Sequence, residues 1–413
     1  MQNKSVRATH LNAKSVRSHN RRVLLQLLRT YGSLSRRQLS ERSGLSSPAV
    51  TNVVAELLES GLVIDVAPGS ESGLPKLGRP SSNVALAART HFVLAAQIGA
   101  GVLQVGVVDL TGEVLASEQL EFRLPAQPEE VMALTADKLQ RIMATAGVTT
   151  SEVLGLGIGA AGLVDAAQRV NLTSHNLGWS EVHMADYFEQ ALGVAVVVDH
   201  NVRAMAVGEA RSGAGQGLES LVFVYARTGV GAGLIMGGRE YRGGTHGAAE
   251  IGHMRVVPNG VRCNCGGRGC LETVVSDVAV KERMLSAGLI DALPDRNDHT
   301  WSKQLVELVV DGDIRAIAIR DELVDYVTSA LLNIINLLNP QLIVLGGLLH
   351  DLSPVLIEEL QTSIPVQVLP LLRDTIRIQP AHFGADAGMI GAATVALDQF
   401  LFGTQLLQTA RAH

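Results

Sequence analysis

The sequence predicts an α/β protein made of a small helical head and a large, internally duplicated body. Three observations carry that expectation. Charge is split along the chain: residues 1–85 hold 12 Lys+Arg against 5 Asp+Glu, and the remainder hold 22 against 35. From Phe92 the pattern changes from short helices to strands, and a plan of strand, glycine turn, strand recurs from Leu221. All three cysteines, Cys263, Cys265 and Cys270, lie close together among glycines. A chain of 413 residues with 47 % apolar content suits two or three domains, and with aromatics at 3 % its core volume must come from Ala, Val, Leu and Ile.

Residues 1–17 lack periodicity and read as a flexible arm. Over 18–30, Val23, Leu24, Leu27 and Leu28 recur at helical spacing, and Tyr31-Gly32 ends that helix. Ser35 suits the N-cap of a second helix that Gly44 terminates. Ser46 or Ser47 caps a third, with Pro48 in its first turn. Two short helices joined by a tight Gly-Leu-Ser turn fit a helix-turn-helix. The apolar run from Gly61 and the segment 82–86 bracket a polar, glycine-rich tip, which reads as a β-hairpin wing and completes a winged head over 18–87. In the third helix Val50, Val53, Val54 and Leu57 face a small core, while Ser46, Ser47, Thr51 and Asn52 are placed to reach base edges and phosphates. Arg36, Arg37, Lys76 and Arg79 add positive charge, and Gly78-Arg79-Pro80 is the kind of extended basic segment that enters a minor groove. A protein-docking module with solvated arginines is the alternative. The basic balance, the turn chemistry and the wing favour double-stranded DNA.

In the body, three β-rich runs pass through the Gly99-Ala100-Gly101 and Thr111-Gly112 turns, followed by a helix over 128–146 and a buried strand over 153–165. The second pass runs from Leu221, adds the strand Pro340-Gln341-Leu342-Ile343-Val344-Leu345, and closes on a Gly/Ala-rich helix over 384–400. Two α/β lobes follow, 88–200 (with 384–400 returning to it) and 201–383, ahead of a tail at 401–413. Leu-rich 331–338 reads as core in preference to a dimer interface. No secretory leader and no membrane-length apolar run stand out, so a soluble, cytoplasmic protein is expected.

His253, Cys263, Cys265 and Cys270 form a full tetrahedral donor set for Zn²⁺, and the intervening glycines let a short loop fold back on one ion. Four protein ligands leave no open position for water, which makes the zinc structural. Unrelated buried thiols are the alternative; the odd count excludes a simple disulfide scaffold.

The stretch HGAAEIGHM…CNCGGRGCLE, with SHNLGW at 174–179, RTGVGAGL at 227–234 and NPQLIVLGG at 339–347, resembles the ROK family (repressors, open reading frames and sugar kinases). The resemblance covers nearly the whole chain. It implies an actin-like, ribonuclease H-like sugar-kinase body, and the winged head places the chain with the family's NagC/XylR-type repressors. Carried over residue by residue, sugar-binding positions fall on Asn176, Asn201, Glu250, His253 and Glu272. For Glu250 and Glu272 the plainer alternative is that they only orient the zinc ligands.

The same resemblance tests for phosphoryl transfer. The Asp-Ile-Gly-Gly-Thr phosphate loop of the kinases falls on Gln97-Ile98-Gly99-Ala100-Gly101, without carboxylate or hydroxyl. The general-base Asp falls on Asn201, an amide with no useful basicity. Neighbouring Asp199 and His200 are expected to aim elsewhere. In the second phosphate loop Arg227 replaces a glycine. The expectation is a sugar-responsive, dimeric or tetrameric repressor of carbohydrate genes without kinase activity. The competing expectations are a bifunctional or residual ATP-dependent sugar kinase, and a repressor controlled by a protein such as a sugar transporter.

Overall fold

The structure, a computed structural model, describes residues 13–67, 82–244, 247–295 and 297–403. Lys76, Arg79 and the wing tip lie outside the described residues, as does His246.

The head is three helices and a small sheet. Helix α1 (Ala13–Tyr31) is followed by β1 (Leu34–Ser35), α2 (Arg36–Ser43), α3 (Ser47–Glu59), β2 (Val63–Val66) and β3 (Asn83–Leu86). Helix α1 begins five residues before the expected start, within the segment read as a flexible arm. That first turn lacks an apolar stripe and so gave no periodic signal, but the Arg17 Nε–Glu56 ion pair at 2.7 Å ties it to α3. Ser35 caps α2 in a reciprocal capping box with Gln38, and Gly44 ends it in the left-handed region at φ 70°. Ser46, not Ser47, caps α3, accepting from the Ala49 N–H. Val50, Val53, Val54 and Leu57 are buried together with Leu24, Leu25, Leu28 and Leu39. Strands β2 and β3 form the base of the wing, with β1 on the other side of β3.

The body contains two five-stranded mixed sheets of identical topology. The first is built from β4 (Phe92–Ile98), β5 (Val102–Asp109), β6 (Val114–Glu121), β7 (Val153–Ala160) and β11 (Val196–His200), in the order β6-β5-β4-β7-β11. Helix α4 (Pro128–Ala146) covers one face. A side sheet of β8 (Leu163–Asp165), β9 (Val170–Ser174) and β10 (Trp179–Val182), with helix α5 (Met184–Leu192), joins β7 to β11. After α6 (Asn201–Ser212) the second sheet repeats the order as β14-β13-β12-β15-β16, from β12 (Leu221–Ala226), β13 (Val230–Met236), β14 (Arg239–Glu240), β15 (Leu342–Gly347) and β16 (Ile378–Pro380). Each sheet pairs its first two strands antiparallel and its first and fourth parallel. The duplication seen in the glycine turns is therefore a duplication of topology.

Helices α7 (Glu272–Val275), α8 (Asp277–Ser286), α9 (Thr300–Val310), α10 (Ile314–Leu338), α11 (Leu348–Asp351) and α12 (Ser353–Ser363) build the outer layer of the second lobe. Leu331, Ile334 and Ile335 of α10 are core residues of that layer, while Leu337 is 81 % exposed. The final helix α13 (Ala387–Ala396) returns to the first sheet, against β4 and β7, and packs along α6. It continues as a π-turn over Leu397–Leu401, and Phe402 is fully buried. Leu401 and Phe402, the first two residues of the expected tail, thus pack as part of the body. Helix α1, the α6–α13 pair and Phe402 share one contiguous buried cluster, so the head is docked on the body.

Candidate functional site

A cleft of about 500 Å³ opens between the two sheets. It divides into two ends of different chemistry.

At one end is the cysteine loop. Backbone turns close it: the Cys263 N–H donates to the Gly267 carbonyl, and the Gly266 N–H to the Cys263 carbonyl, both at 2.9 Å. His253, Cys263, Cys265 and Cys270 bring one ligand atom each to within 4.8 Å of one another. A tetrahedron with Zn–S bonds of ~2.3 Å has sulfur–sulfur edges of roughly 3.8 Å. Cys265 Sγ and Cys270 Sγ are 3.7 Å apart, and Cys263 Sγ is 3.8 Å from His253 Nδ1. Burial and the neighbouring thiols push the Cys270 thiol up to about 12. A dication here reverses that preference by binding the thiolates. The donor set and its spacing fit zinc.

The other residues expected at this end line the same cleft: Asn176, Asn201, Glu250, His253 and Glu272. With His253 Nδ1 turned toward Cys263, Nε2 is the ring nitrogen left for a cleft ligand. Glu272 Oε2 accepts from the Val230 N–H at 3.1 Å, and its Oε1 is 3.9 Å from Cys263 Sγ, so this carboxylate ties the cysteine loop to β13. Gly229 lies between Asn176 and Glu272; a Cβ there would sit 3.2 Å from Asn176 Nδ2 and from Glu272 Oε2. A side chain at 229 would therefore separate the two polar groups from a shared ligand. Asn201 opens α6 and its Oδ1 accepts from the Val202 N–H at 2.9 Å, leaving the amide NH₂ to donate.

Asp199 is fully buried and turned away from the cleft. Arg203 Nε binds its Oδ1 at 2.5 Å and Arg242 binds its Oδ2 at 2.6 Å. Burial opposes its ionisation, but the two guanidiniums outweigh burial and hold the carboxyl below the usual carboxylate range. His200 corrects an expectation: it lines the cleft. As last residue of β11 and N-cap of α6 it sits where the chain turns at the cleft wall, so strand alternation no longer sets its direction. Burial, assisted by Arg203, lowers its pKa to about 4, so the imidazole is neutral and weakly basic at pH 7.

The other end is where the phosphate loops of a kinase would lie. Arg227 fills it. Its guanidinium binds Asp351 at 2.7 Å, approaches Asp277 at 4.0 Å, and lies 3.5 Å from His299 Nδ1. Burial, which Arg227 and Lys281 oppose only in part, raises Asp277 to about 6. Across the mouth, Asn297 of the second lobe donates from Nδ2 to the Gly101 carbonyl of the first at 3.1 Å. Gln97 is 6 % exposed, and its Oε1 has no hydrogen-bond partner among the described residues. Asp277, His299, Asp351 and Asn297 escaped the sequence reading. They are scattered over three segments, and no local spacing links them to Arg227.

In the head, Ser46, Ser47, Thr51 and Asn52 are exposed at the start of α3, on the face opposite its buried valines. Thr51 Oγ1 donates to the Ser47 carbonyl at 2.9 Å. Arg37 is 87 % exposed and pairs only with Glu41 on its own helix. Arg36 donates to Asp65 at 3.1 Å and Ser82 at 3.2 Å, which links α2 to the wing.

The ROK family profile matches residues 93–399, three quarters of the chain. The chain belongs to the ROK family. A winged helix-turn-helix DNA-binding profile matches 17–64, so this ROK body carries a DNA-binding head. The xylose repressor of Bacillus spizizenii is 24 % identical over 386 residues, covering 94 % of this chain and 97 % of the relative. A crystal structure of a ROK family transcriptional regulator, a homologue of the E. coli MLC protein, is 26 % identical with TM-score 0.79, covering 94 % of this chain and 98 % of that one. A ROK glucokinase from Streptomyces griseus, solved with glucose and AMPPNP, is 30 % identical with TM-score 0.64, covering 74 % of this chain and 99 % of that one. The shares covered divide these by architecture: the two regulators match head and body, and the glucokinase matches the body alone. No helix among the described residues is long and apolar enough to cross a membrane.

Proposed function

We propose that this protein is a sugar-responsive transcriptional repressor of carbohydrate-metabolism genes that lacks kinase activity. The observation that carries the proposal is the contrast within one cleft. Asn176, Asn201, Glu250, His253 and Glu272 all line the cleft, and their amide and carboxylate groups suit vicinal hydroxyls. At the phosphate end an arginine engaged by two carboxylates occupies the space. Kinase chemistry needs a base and a cradle for triphosphate. Asn201 supplies no base, and Asp199, the nearest carboxylate in sequence, is buried between two arginines.

In this proposal His253, Cys263, Cys265 and Cys270 hold one Zn²⁺, which supplies structural rigidity to the loop that presents Glu250 and Glu272. The units are the head at 18–87, a first lobe at 88–200 with 384–400, and a second lobe at 201–383. Ser46, Ser47, Thr51 and Asn52 read base edges, and Arg37, Lys76 and Arg79 contact phosphates. Sugar binds between the lobes and favours one closure angle; in a dimer that angle sets the spacing of two heads on a palindromic operator. The ligand acts only through its differential affinity for the two states, and release of DNA is the expected sign.

The test is selection of duplexes from a random pool by the full chain, then fluorescence anisotropy with D-xylose, N-acetylglucosamine, glucose and their phosphates. A palindromic site released by one of these supports the proposal. Binding without sequence preference, or a site that none of them affects, contradicts it.

A further inference from the structure

One buried carboxylate makes polar contacts at the seam where the head docks on the body. Asp398, in the π-turn after α13, is 5 % exposed. Its Oδ1 binds Arg29 of α1 at 2.6 Å, and its Oδ2 binds Arg211 at the end of α6 at 3.1 Å. Arg29 belongs to the DNA-binding head, and its guanidinium also lies 4.0 Å from the centroid of the buried Phe402 ring. Arg211 belongs to the helix that begins at Asn201 in the cleft, and it donates to the Gly238 carbonyl of the second lobe at 3.2 Å.

The packing around this carboxylate decides what it can do. Residues 201–210 of α6 are all buried, so the helix is a rigid rod between the cleft and Arg211, roughly 15 Å long at ~1.5 Å per residue. On one side α6 is seated on the second sheet, where a Cβ at Gly233 would meet Ala206 Cβ at 2.5 Å. On the other side it crosses α13, backbone against backbone: a Cβ on Gly208 would lie 3.2 Å from Gly391 Cα, and one on Gly391 would lie 2.5 Å from the Ala204 carbonyl carbon. Helix α13 in turn is seated on the first sheet, where a Cβ at Gly157 would meet the Ala392 carbonyl at 2.1 Å. The α6–α13 crossing is therefore the seam where the element seated on one sheet meets the element seated on the other. The Arg211–Asp398 pair spans it, and Arg29 holds the head to the α13 side.

We infer that Asp398 is the joint that passes a change in the cleft to the DNA-binding head, as a positioning residue shared by Arg211 and Arg29. This rests on the repressor proposal for its purpose. Movement of α6 relative to α13 withdraws or restores Arg211, and with it one of the cations that fix the carboxylate gripping α1. A low-exposure carboxylate with two guanidinium partners is sensitive to the loss of either.

Hydrogen exchange of the full, zinc-loaded chain tests the joint without sugar or DNA, so its failure is distinguishable from failure of the repressor proposal. Arg211→Ala, which touches no residue of the head, is expected to speed exchange of the α1 amides roughly tenfold, as loss of a partly buried pair would. Asp398→Asn is expected to do the same, the double variant to add nothing further, and Arg211→Lys to restore much of the protection. Protection of β4 and β7 amides serves as the folding control, with Arg211→Gln as the milder substitute if Ala disturbs them. Unchanged α1 exchange in the Arg211 variants, or additive effects of the two substitutions, would overturn the inference and leave Asp398 a simple tether.

Discussion

The two ends of the cleft are built from the same fold and differ in what their polar groups face. At the cysteine-loop end, Asn176, Glu272 and His253 line the cleft, and Gly229, which has no side chain, keeps the space between Asn176 and Glu272 clear. At the phosphate end the charges face one another: Arg227 with Asp351 and Asp277, and Asn297 with the Gly101 carbonyl. A site whose polar groups keep spare donors and acceptors gains by binding a polar ligand. A site whose charges are already paired must break those pairs first, which costs several kcal/mol for buried ions. One cleft thus carries a polar lining suited to a ligand at one end and a set of mutually paired ions at the other.

The comparison can be broken most directly at the zinc ligands. Cys263→Ala is expected to abolish stoichiometric zinc in the purified protein, to lower the melting temperature markedly, and to remove any sugar-induced melting shift, since structural zinc sites contribute on the order of 10 kcal/mol in small domains. Normal sugar binding by this variant would show the loop to be independent of the metal. Next in size, Arg227→Ala strands Asp277 and Asp351 without their cation. A loss of about 3 kcal/mol at pH 7 is expected by chemical denaturation. Asn201→Asp, which restores a carboxylate, is expected to give no ATP turnover while Arg227 remains, and a coupled ADP assay would detect the contrary.

Smaller effects sharpen the same contrast through pH. His200 has a folded pKa of about 4 against an ordinary 6.5, so its contribution is complete above 6.5 and is lost as pH falls toward 4. Asp277 has a folded pKa of about 6 against 3.8, so its contribution is complete below 3.8 and is lost as pH rises through 6. The two slopes oppose each other between those limits. His200→Gln is expected to lessen the acid-side loss and Asp277→Asn to lessen the loss on the neutral side, each by about 1–3 kcal/mol. Denaturation curves at half-unit steps from pH 4 to 8 would check both signs. In the head, Arg37→Ala is expected to weaken binding to all duplexes alike and to reduce the salt slope by about 1.

Much of this was legible in the sequence because it is local. Caps at Ser35 and Ser46, the Gly44 stop, the buried valines of α3 and the repeated strand–glycine–strand plan are all written in neighbouring residues. The cysteine set was legible for the same reason. What was not legible is what the fold assembles from distant segments. Arg227 suggested a blocked phosphate loop, but its partners Asp277, His299 and Asp351 are brought by three different helical segments. His200 was expected to face away because strand alternation was applied at the residue where the strand ends and α6 begins. Helix α1 was started late because its first turn carries no apolar stripe.

The central claim is that one end of the cleft binds sugar and the other no longer transfers phosphate. Thermal shift across a panel of sugars in the presence of Mg²⁺ and ATP, with ADP measured in the same wells, tests both halves together. The account predicts that at least one sugar raises the melting temperature while ADP stays at the level of the sugar-free control. ADP formed in proportion to that sugar would contradict it.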